Sequence, residues 1–502
     1  MKKIISITIL FLLLLGYSCS EDFLTKEPLG IPSSAILYTT EDGAQKLLNA
    51  TYAACRTWDQ LGFGWFVTME VGADDTEPGS NPSDGSVPRM QMVSDFTYLT
   101  SQTDLLEFWS GTYTLIARAN MVINNAPDIE FEDEALKSRI IAEAKFLRAR
   151  AYFNLVKSWG GVPIMTEVPA SPEEAEIPTP RSTAEEVYDL IMEDLTEAIA
   201  ILPLKSEYPA SEMGRATKGA AQTLLAQVYL HQLDYSSCLT ECLNVINSEE
   251  YSLFPYYGDN WDYFDHSKRN GVESIFEIQE IARTERDVTN HWIYWAGIRA
   301  FSGYGFFSPT EDLADSYEPG DPRRDVTIFF EGESYPGIDT KPVFPENCDP
   351  RANQKSMYPM PWVGAISWNN APVNKIEMRY ADVLLMAAEC YNETGDPANA
   401  LYYLELVRAR AREGQDILPE ITETEKVALR HIIWNERRWE LALEGYRFTD
   451  VRRYDKVEPG FADALYDAAG KPNYTVGKHE LHPIPQVEMD YAAGVLTQNP
   501  GW

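Results

Sequence analysis

Apolar residues repeat every three or four positions in several long segments of the chain. In the segment 138–159 they stand at Ile140, Ala144, Leu147, Ala151 and Leu155. This spacing places them on one face, so it predicts an amphipathic helix over 138–159. Gly160 and Gly161 follow, then Pro163, and glycine at a helix end accepts the left-handed backbone that stops the helix. A second helix is predicted over 184–201, with Ser182 or Thr183 as its N-cap.

Two further segments each predict a pair of helices joined by a short turn. The first pair covers 214–246, with Asp234 as the N-cap of its second helix. The second pair covers 379–412, where Gly395 ends one helix and Asp396-Pro397 starts the next. Small residues stand where the paired helices would cross, which is typical of tetratricopeptide-like units that stack into a scaffold.

Periodicity fails in two blocks, near 56–98 and 250–375. Glycine, proline, aromatic and acidic residues alternate there with short strand-like runs such as 273–281. Loop-rich blocks of this length usually carry function in a compact fold. The second block contains the stretch "HWIYWAGIRAFSGYGFF" at 291–307, whose dense rings follow no amphipathic pattern.

The first residues predict an exported lipoprotein. Lys2 and Lys3 precede an apolar run from Ile4 to Leu15, which is too short to span a bilayer and describes a signal peptide over 1–18. The run ends before Cys19, and this resembles a bacterial lipoprotein signal in which that cysteine is lipidated. The acidic residues that follow it are similar to the tag that sends Bacteroidetes lipoproteins to the outer face of the outer membrane. The alternative is an ordinary secreted protein with a stray cysteine.

Net charge and cysteine spacing limit the ligands, disulfides and metal sites that the chain can be expected to have. The chain carries 77 acidic and 42 basic side chains, a net charge of −35, which argues against nucleic acid and anionic lipid as ligands. The cysteines after Cys19 show no spacing of a disulfide framework and are expected to be buried. His231, Cys238 and Cys242 lack a fourth ligand, so no metal site is predicted there.

The carboxylate clusters are interpreted as structural. Glu436, Glu440 and Glu444 would share a helical face, and paired carboxylates are what a glycosidase uses, but arginines crowd the same segment and would lower the carboxyl pKa values. No nucleophile, zinc-protease or phosphate-loop motif is present, so an enzyme is not predicted. His479 and His482 are expected to be surface or packing residues. A calcium ion at the oxygen-rich loop of Asp74, Asp75, Glu77 and Asp84 stays an open, unsupported alternative, because that loop lacks regular ligand spacing.

Eight segments together resemble the SusD/RagB family of outer-membrane nutrient-binding lipoproteins, in the order of that family and across the mature chain. They are "CSEDFLTKEP", "FLRARAYFNLVKSWGGVPIM", "RSTAEEVYDLI", "GRATKGAAQTLLAQVYL", "SPTEDLADSYEPGDPRRD", "MRYADVLLMAAECYNETGD", "NERRWELALEGYRFTDVRRY" and "HPIPQVEMDYAAGVLTQNPGW".

The resemblance implies a mostly helical fold in one domain over 19–502, built on tetratricopeptide-like helix pairs with a loop-rich ligand-binding region. It also implies a surface protein, without a cofactor, that caps a SusC-like TonB-dependent transporter and binds oligosaccharide or polysaccharide without cleaving it. Binding residues vary within the family, so none is carried over by motif.

Chemistry alone therefore selects the site candidates. Sugars lie with their C–H faces on aromatic rings and need polar partners for their hydroxyls. The predicted platforms are Trp65, Trp292, Tyr294, Trp295 and Tyr304, and the predicted polar partners are Asp74, Asp75 and Arg89. Trp292 and Tyr294 would share a face if the run were a strand. For any single ring, a place in the core is an equally good interpretation.

Two other functions stay open at this point. A peptide-binding member of the same family would suit the strong negative charge, because the favoured ligand would then be a cationic peptide. A glycan-active hydrolase is the weaker alternative, since the carboxylate pairs have arginine neighbours or lie in an irregular loop.

Overall fold

The structure is a computed structural model that describes residues 37–263, 265–280, 291–299, 303–335, 341–357 and 373–502. The predicted signal peptide and the lipidation site Cys19 lie outside the described residues. Within the described ranges, no helix has the length and apolar character needed to cross a membrane.

Helices dominate the structure, which confirms the predicted fold class. The helices of the first half are α1 (Glu41–Ala54), α2 (Trp58–Leu61), α3 (Phe63–Met69), α4 (Val87–Ser94), α5 (Thr103–Asn125), α6 (Glu134–Trp159), α7 (Pro172–Ala175), α8 (Ala184–Ile201), α9 (Lys218–His231) and α10 (Tyr235–Asn247). Those of the second half are α11 (His291–Ala296), α12 (Glu311–Ser316), α13 (Pro322–Thr327), α14 (Tyr380–Glu393), α15 (Pro397–Ala411), α16 (Lys426–Glu440), α17 (Arg447–Val457), α18 (Phe461–Ala468) and α19 (Gln486–Tyr491).

Capping residues set the helix ends where the sequence predicts them. Helix α8 has the predicted bounds, and Thr183 and Glu186 form a reciprocal capping box at its start. Helix α6 starts four residues before the predicted position because the Asp133 carboxylate accepts from the backbone N–H of Ala135 at 2.9 Å. It ends as predicted, and Gly160 has a φ of 73°.

Both predicted helix pairs are confirmed. Asp234 caps α10 by accepting from the N–H of Ser237 at 3.1 Å, and Asp396 caps α15 in the same way from Asn399 at 3.1 Å. Helix α10 of the first pair packs on α14 of the second. Stacked helix pairs of this kind make a stiff frame, because each pair buries its apolar stripe against its neighbour.

The strands form three antiparallel two-stranded ribbons that join segments distant in sequence. They are β1 (Thr76–Gly79) with β3 (Phe306–Pro309), β2 (Ser274–Ile278) with β6 (Lys375–Arg379), and β4 (Ile328–Phe330) with β5 (Arg351–Asn353). In the first ribbon Thr76 pairs with Pro309, so the two blocks that lack periodicity meet. The first block is less irregular than predicted, since α2, α3 and α4 lie within it.

The carboxylates at the end of α16 lie in a buried arginine network, as the sequence predicts. Glu440 is fully buried and accepts from Arg323 at 3.1 Å, from Arg379 at 2.5 Å and from Arg410. Burial opposes ionisation of Glu440, but these three arginines outweigh it and hold the carboxyl pKa well below its usual range. The partners come from other elements of the fold, and not from the arginines beside Glu440 in sequence.

His479 and His482 pack in the interior, which confirms one of the two predicted roles. His482 is fully buried, with its Nδ1 3.0 Å from the Tyr98 hydroxyl and its Nε2 3.1 Å from the Thr68 carbonyl. The segment after α18 is thereby attached to the helical frame.

Candidate functional site

The two blocks without periodicity bring their aromatic residues into one cluster. Helix α11 presents Tyr294 and Trp295, whose ring centroids lie 4.5 Å apart. Tyr304 lies 4.8 Å from Trp295 and 5.1 Å from Tyr294. From the first block, Trp58 contacts Trp295 edge-on at 5.1 Å, and Phe63 lies 4.7 Å from the same indole. Contacts of this geometry fix the rings against one another.

Four of these rings reach the surface. Trp58, Tyr294, Trp295 and Tyr304 are each half-buried, and we call them the ring rim. Phe63 lies beneath them with only 2% of its surface exposed. The ring rim is therefore a set of partly accessible aromatic groups on a packed base.

Trp65 and Trp292 do not have the predicted exposure. Trp65 is 4% exposed and Trp292 is 5% exposed, and both belong to the hydrophobic core. Trp292 stacks on Phe66 at 5.1 Å. The segment 291–296 is a helix, so Trp292 and Tyr294 point to different sides and do not share a face. The structure thus corrects the platform role of these two indoles to a packing role.

Asp74 and Asp75 are also buried, and their carboxylates are paired with arginines. Arg447 donates to both oxygens of Asp74 at 2.8 Å, and Arg438 donates to Asp75 at 2.7 Å. Burial opposes ionisation of Asp74, but Arg447 outweighs it and lowers the carboxyl pKa. These carboxylates join the loop to α16 and α17, which corrects their predicted role as hydroxyl partners of a sugar.

Arg89, the third predicted polar partner, lies beside the aromatic cluster. Its guanidinium pairs with Asp104 at 2.9 Å and lies 5.1 Å from the centroid of Phe63, which underlies the ring rim. Its side chain is 37% exposed, so it keeps N–H groups at the surface near the rings.

Sequence reasoning missed three residues of the same region, Arg299, Trp58 and Glu107. Arg299 lies 5.6 Å from the Tyr304 ring centroid, donates to Ser80 Oγ at 3.2 Å and forms an ion pair with Asp84. Trp58 is the missed ring, and its indole N–H donates to Glu107 at 3.0 Å. Only tertiary contact brings these residues together, because they come from segments far apart in the chain. Trp58 did have a signal, since it stands in the same aromatic-rich block as Trp65.

The oxygen-rich loop does not present an open cage for calcium. Besides the pairs made by Asp74 and Asp75, Glu77 pairs with Arg351 at 2.6 Å and Asp84 pairs with Arg299. In the part of the chain that the structure describes, no group of histidine, cysteine and carboxylate side chains has the geometry to hold a metal ion.

The stability of the protein is expected to depend on pH through Glu70, which directly follows α3. It is 3% exposed, and burial, opposed in part by Lys375, raises its pKa from 4.5 to about 8. Between these values the unfolded chain releases the proton while the folded protein retains it, so stability falls as pH rises from 4.5 to about 8. We expect the neutral variant Glu70→Gln to gain over the wild type across that window, by up to about 1.4 kcal/mol per pH unit. Urea unfolding at a series of pH values measures the difference, and a constant difference contradicts the assignment.

Several of the known proteins that this chain is similar to carry SusD-type descriptions. A family model described as the SusD family matches residues 272–502, and a second, described as starch-binding associating with outer membrane, matches residues 67–230. A SusD-like protein of Formosa agariphila is 29% identical over the full length of both chains.

Solved structures share the fold. The crystal structure of a SusD-like protein from Bacteroides fragilis is 25% identical, covers 95% of this chain and 100% of its own, and has a TM-score of 0.75. A laminarin-binding SusD-like protein is 28% identical, covers 93% of this chain and 100% of its own, and has a TM-score of 0.73. With two SusD-type models matching successive regions and relatives alike along the whole chain, the protein belongs to the SusD/RagB family.

Proposed function

We propose that this protein binds an oligosaccharide or polysaccharide at the cell surface and passes it to a SusC-like TonB-dependent transporter without cleaving it. The observation that carries the proposal is the ring rim of Trp58, Tyr294, Trp295 and Tyr304. It stands on a packed aromatic base and is bordered by Arg89, Arg299 and Glu107.

The chemistry of the ring rim suits a sugar. The C–H faces of a pyranose lie flat on aromatic rings, and its hydroxyls take hydrogen bonds from guanidinium groups and give them to carboxylates. Each stacked ring contributes about 1–3 kcal/mol where bases stack on aromatic side chains. Two or three rings with a few hydrogen bonds then give micromolar to millimolar affinity, which suits a protein that must release its ligand to a transporter.

A relative indicates the first ligand to test. The laminarin-binding SusD-like protein resembles this chain over nearly its whole length. Laminarin is therefore the first polysaccharide to test, followed by other neutral glycans.

Glu440 and Glu444, the carboxylates that the sequence offered as a glycosidase pair, do not suit hydrolysis. A glycosidase needs one carboxylic acid with a raised pKa as its proton donor. At Glu440 and Glu444 burial opposes ionisation, yet neighbouring arginines, joined at Glu444 by Lys355, keep both pKa values low, so neither carboxyl holds a proton for a leaving group at neutral pH. Lipidation at Cys19 and location in the outer membrane belong to the same proposal, and the outer-membrane description of the matching family model supports the location.

Electrophoresis in native gels that contain laminarin or another polysaccharide tests binding. We expect the soluble chain from Ser20 to be retarded, and Tyr304→Ala to lose most of the retardation, because Tyr304 contacts two other rings of the rim. Tyr402→Ala is the matched control, since Tyr402 is 58% exposed on the distant helix α15 and should leave retardation unchanged.

Three further results separate the alternatives. Release of reducing ends from the polysaccharide would indicate a hydrolase, and binding of a cationic peptide library without any glycan would indicate the peptide-binding alternative. Co-purification of a large outer-membrane transporter with the full-length lipoprotein from detergent extracts supports the delivery step, and its absence under gentle extraction contradicts it.

A further inference from the structure

A small, partly open cavity lies next to the buried Trp65, and the ring rim does not line it. Its volume is about 50 Å3, and its walls come mainly from α6, α9, strand β6 and the segment 444–446. A single water molecule needs at least about 10–15 Å3 of such space. The cavity therefore has room for one small ion together with a few water molecules.

Two lysines of the cavity wall lack close hydrogen-bond partners. Lys375 is 4% exposed, and its ammonium lies 4.1 Å from the Trp65 ring centroid and 3.9 Å from the nearest Glu377 oxygen. Lys157 is half-buried and lies 4.9 Å from the Phe153 ring centroid. Neither ammonium donates a hydrogen bond to a residue in the described ranges. An ammonium group has three donors, so each lysine has N–H groups available to the cavity.

The carboxylates of the wall are already neutralised by other cations. Glu377 accepts two hydrogen bonds from Arg150, each of 2.5 Å. Glu444 accepts from Arg379 at 2.8 Å and from Lys355 at 2.7 Å. The lining has three cationic side chains, Arg150, Lys157 and Lys375, and two carboxylates, so positive charge is in excess, and buried charge that is incompletely paired is costly.

We propose that this cavity binds a small monovalent anion, such as a halide or formate, between Lys157 and Lys375. The anion balances the excess positive charge of the lining and accepts hydrogen bonds from the two ammonium groups. Asn154, which also lines the cavity and is 9% exposed, adds an amide N–H donor. Burial lowers the pKa of Lys157 to about 8, so Lys157 is still mostly protonated at pH 7 and able to bind an anion. Through Lys375 and Trp65 the bound anion would stabilise the packing beneath the aromatic cluster.

Thermal unfolding in different sodium salts at constant ionic strength tests the proposal. We expect Tm to rise by about 2–4 °C, with saturation, when chloride, bromide or formate replaces gluconate, which is too large for the cavity. Crystals grown in bromide should show an anomalous-scattering peak in the cavity between Lys157 and Lys375.

A variant separates this site from general salt effects. Lys157→Met keeps an unbranched side chain of similar length, and we expect it to fold but to lose the Tm difference between bromide and gluconate and the anomalous peak. Lys46→Met is the matched control, because Lys46 is a surface residue paired only with Asp42, and it should keep both. The same Tm in all salts, or a difference that persists in Lys157→Met, would overturn the proposal. Neither result affects the glycan proposal, since the ring rim is not part of this cavity.

Discussion

Glu440→Ala is expected to lower the free energy of unfolding by about 3–5 kcal/mol, the range measured when one partner of a buried ion pair is removed. The reason is the position of Glu440 among Arg323, Arg379 and Arg410, which come from three separate elements and lose a shared acceptor. All four side chains are less than a tenth exposed, so water cannot replace the lost carboxylate. Urea unfolding followed by circular dichroism measures the change.

The control for Glu440→Ala is an ion pair on the surface. Asp42 pairs with Lys46 one turn along α1, and both side chains are about half exposed or more. Surface pairs of this kind contribute about 0–1 kcal/mol, so Asp42→Ala should change stability little. Equal effects of the two substitutions would show that the arginine network is not what holds α16 to the rest of the frame.

The helical frame was predictable because its signals are local. Thr183 with Glu186, Asp234 and Asp396 each satisfy backbone groups within one turn, and Pro397 has no N–H that needs a partner, so the sequence near them is enough to place the start of each helix. The start of α8 follows from Thr183 and Glu186 alone. The start of α6 was predicted too late in the chain, because the apolar stripe used for the prediction begins several residues after the N-cap Asp133.

The candidate site was only partly predictable because exposure of a ring depends on tertiary packing. Trp292 and Trp295 stand three residues apart in one short helix, yet the first is buried and the second is half-buried. The same holds for charges. Asp74 looked available in the sequence, whereas its partner Arg447 lies far along the chain and reaches it only in the folded protein.

The two indoles of α11 therefore predict opposite effects when each is replaced by alanine. Trp292 is 5% exposed and stacks on Phe66, so Trp292→Ala should lower the free energy of unfolding by about 3–5 kcal/mol. Its folded fraction should bind glycan with little change in affinity. Trp295 lies in the ring rim, so Trp295→Ala should weaken glycan binding by about 5- to 150-fold, corresponding to about 1–3 kcal/mol, with a smaller loss of stability.

Affinity electrophoresis and urea unfolding on the same preparations measure both quantities. Trp434→Ala is the matched control for Trp292→Ala, because Trp434 is 2% exposed on α16 and stacks on Tyr454, away from the cluster. It should be destabilised to a similar degree and retain binding. If Trp292→Ala abolishes retardation at unchanged stability while Trp295→Ala binds normally, the sugar lies on the indole that this structure buries. The ring rim would then have only a packing role. Trp292 would have to be accessible instead, because a ring that takes up a ligand must be accessible before the ligand arrives.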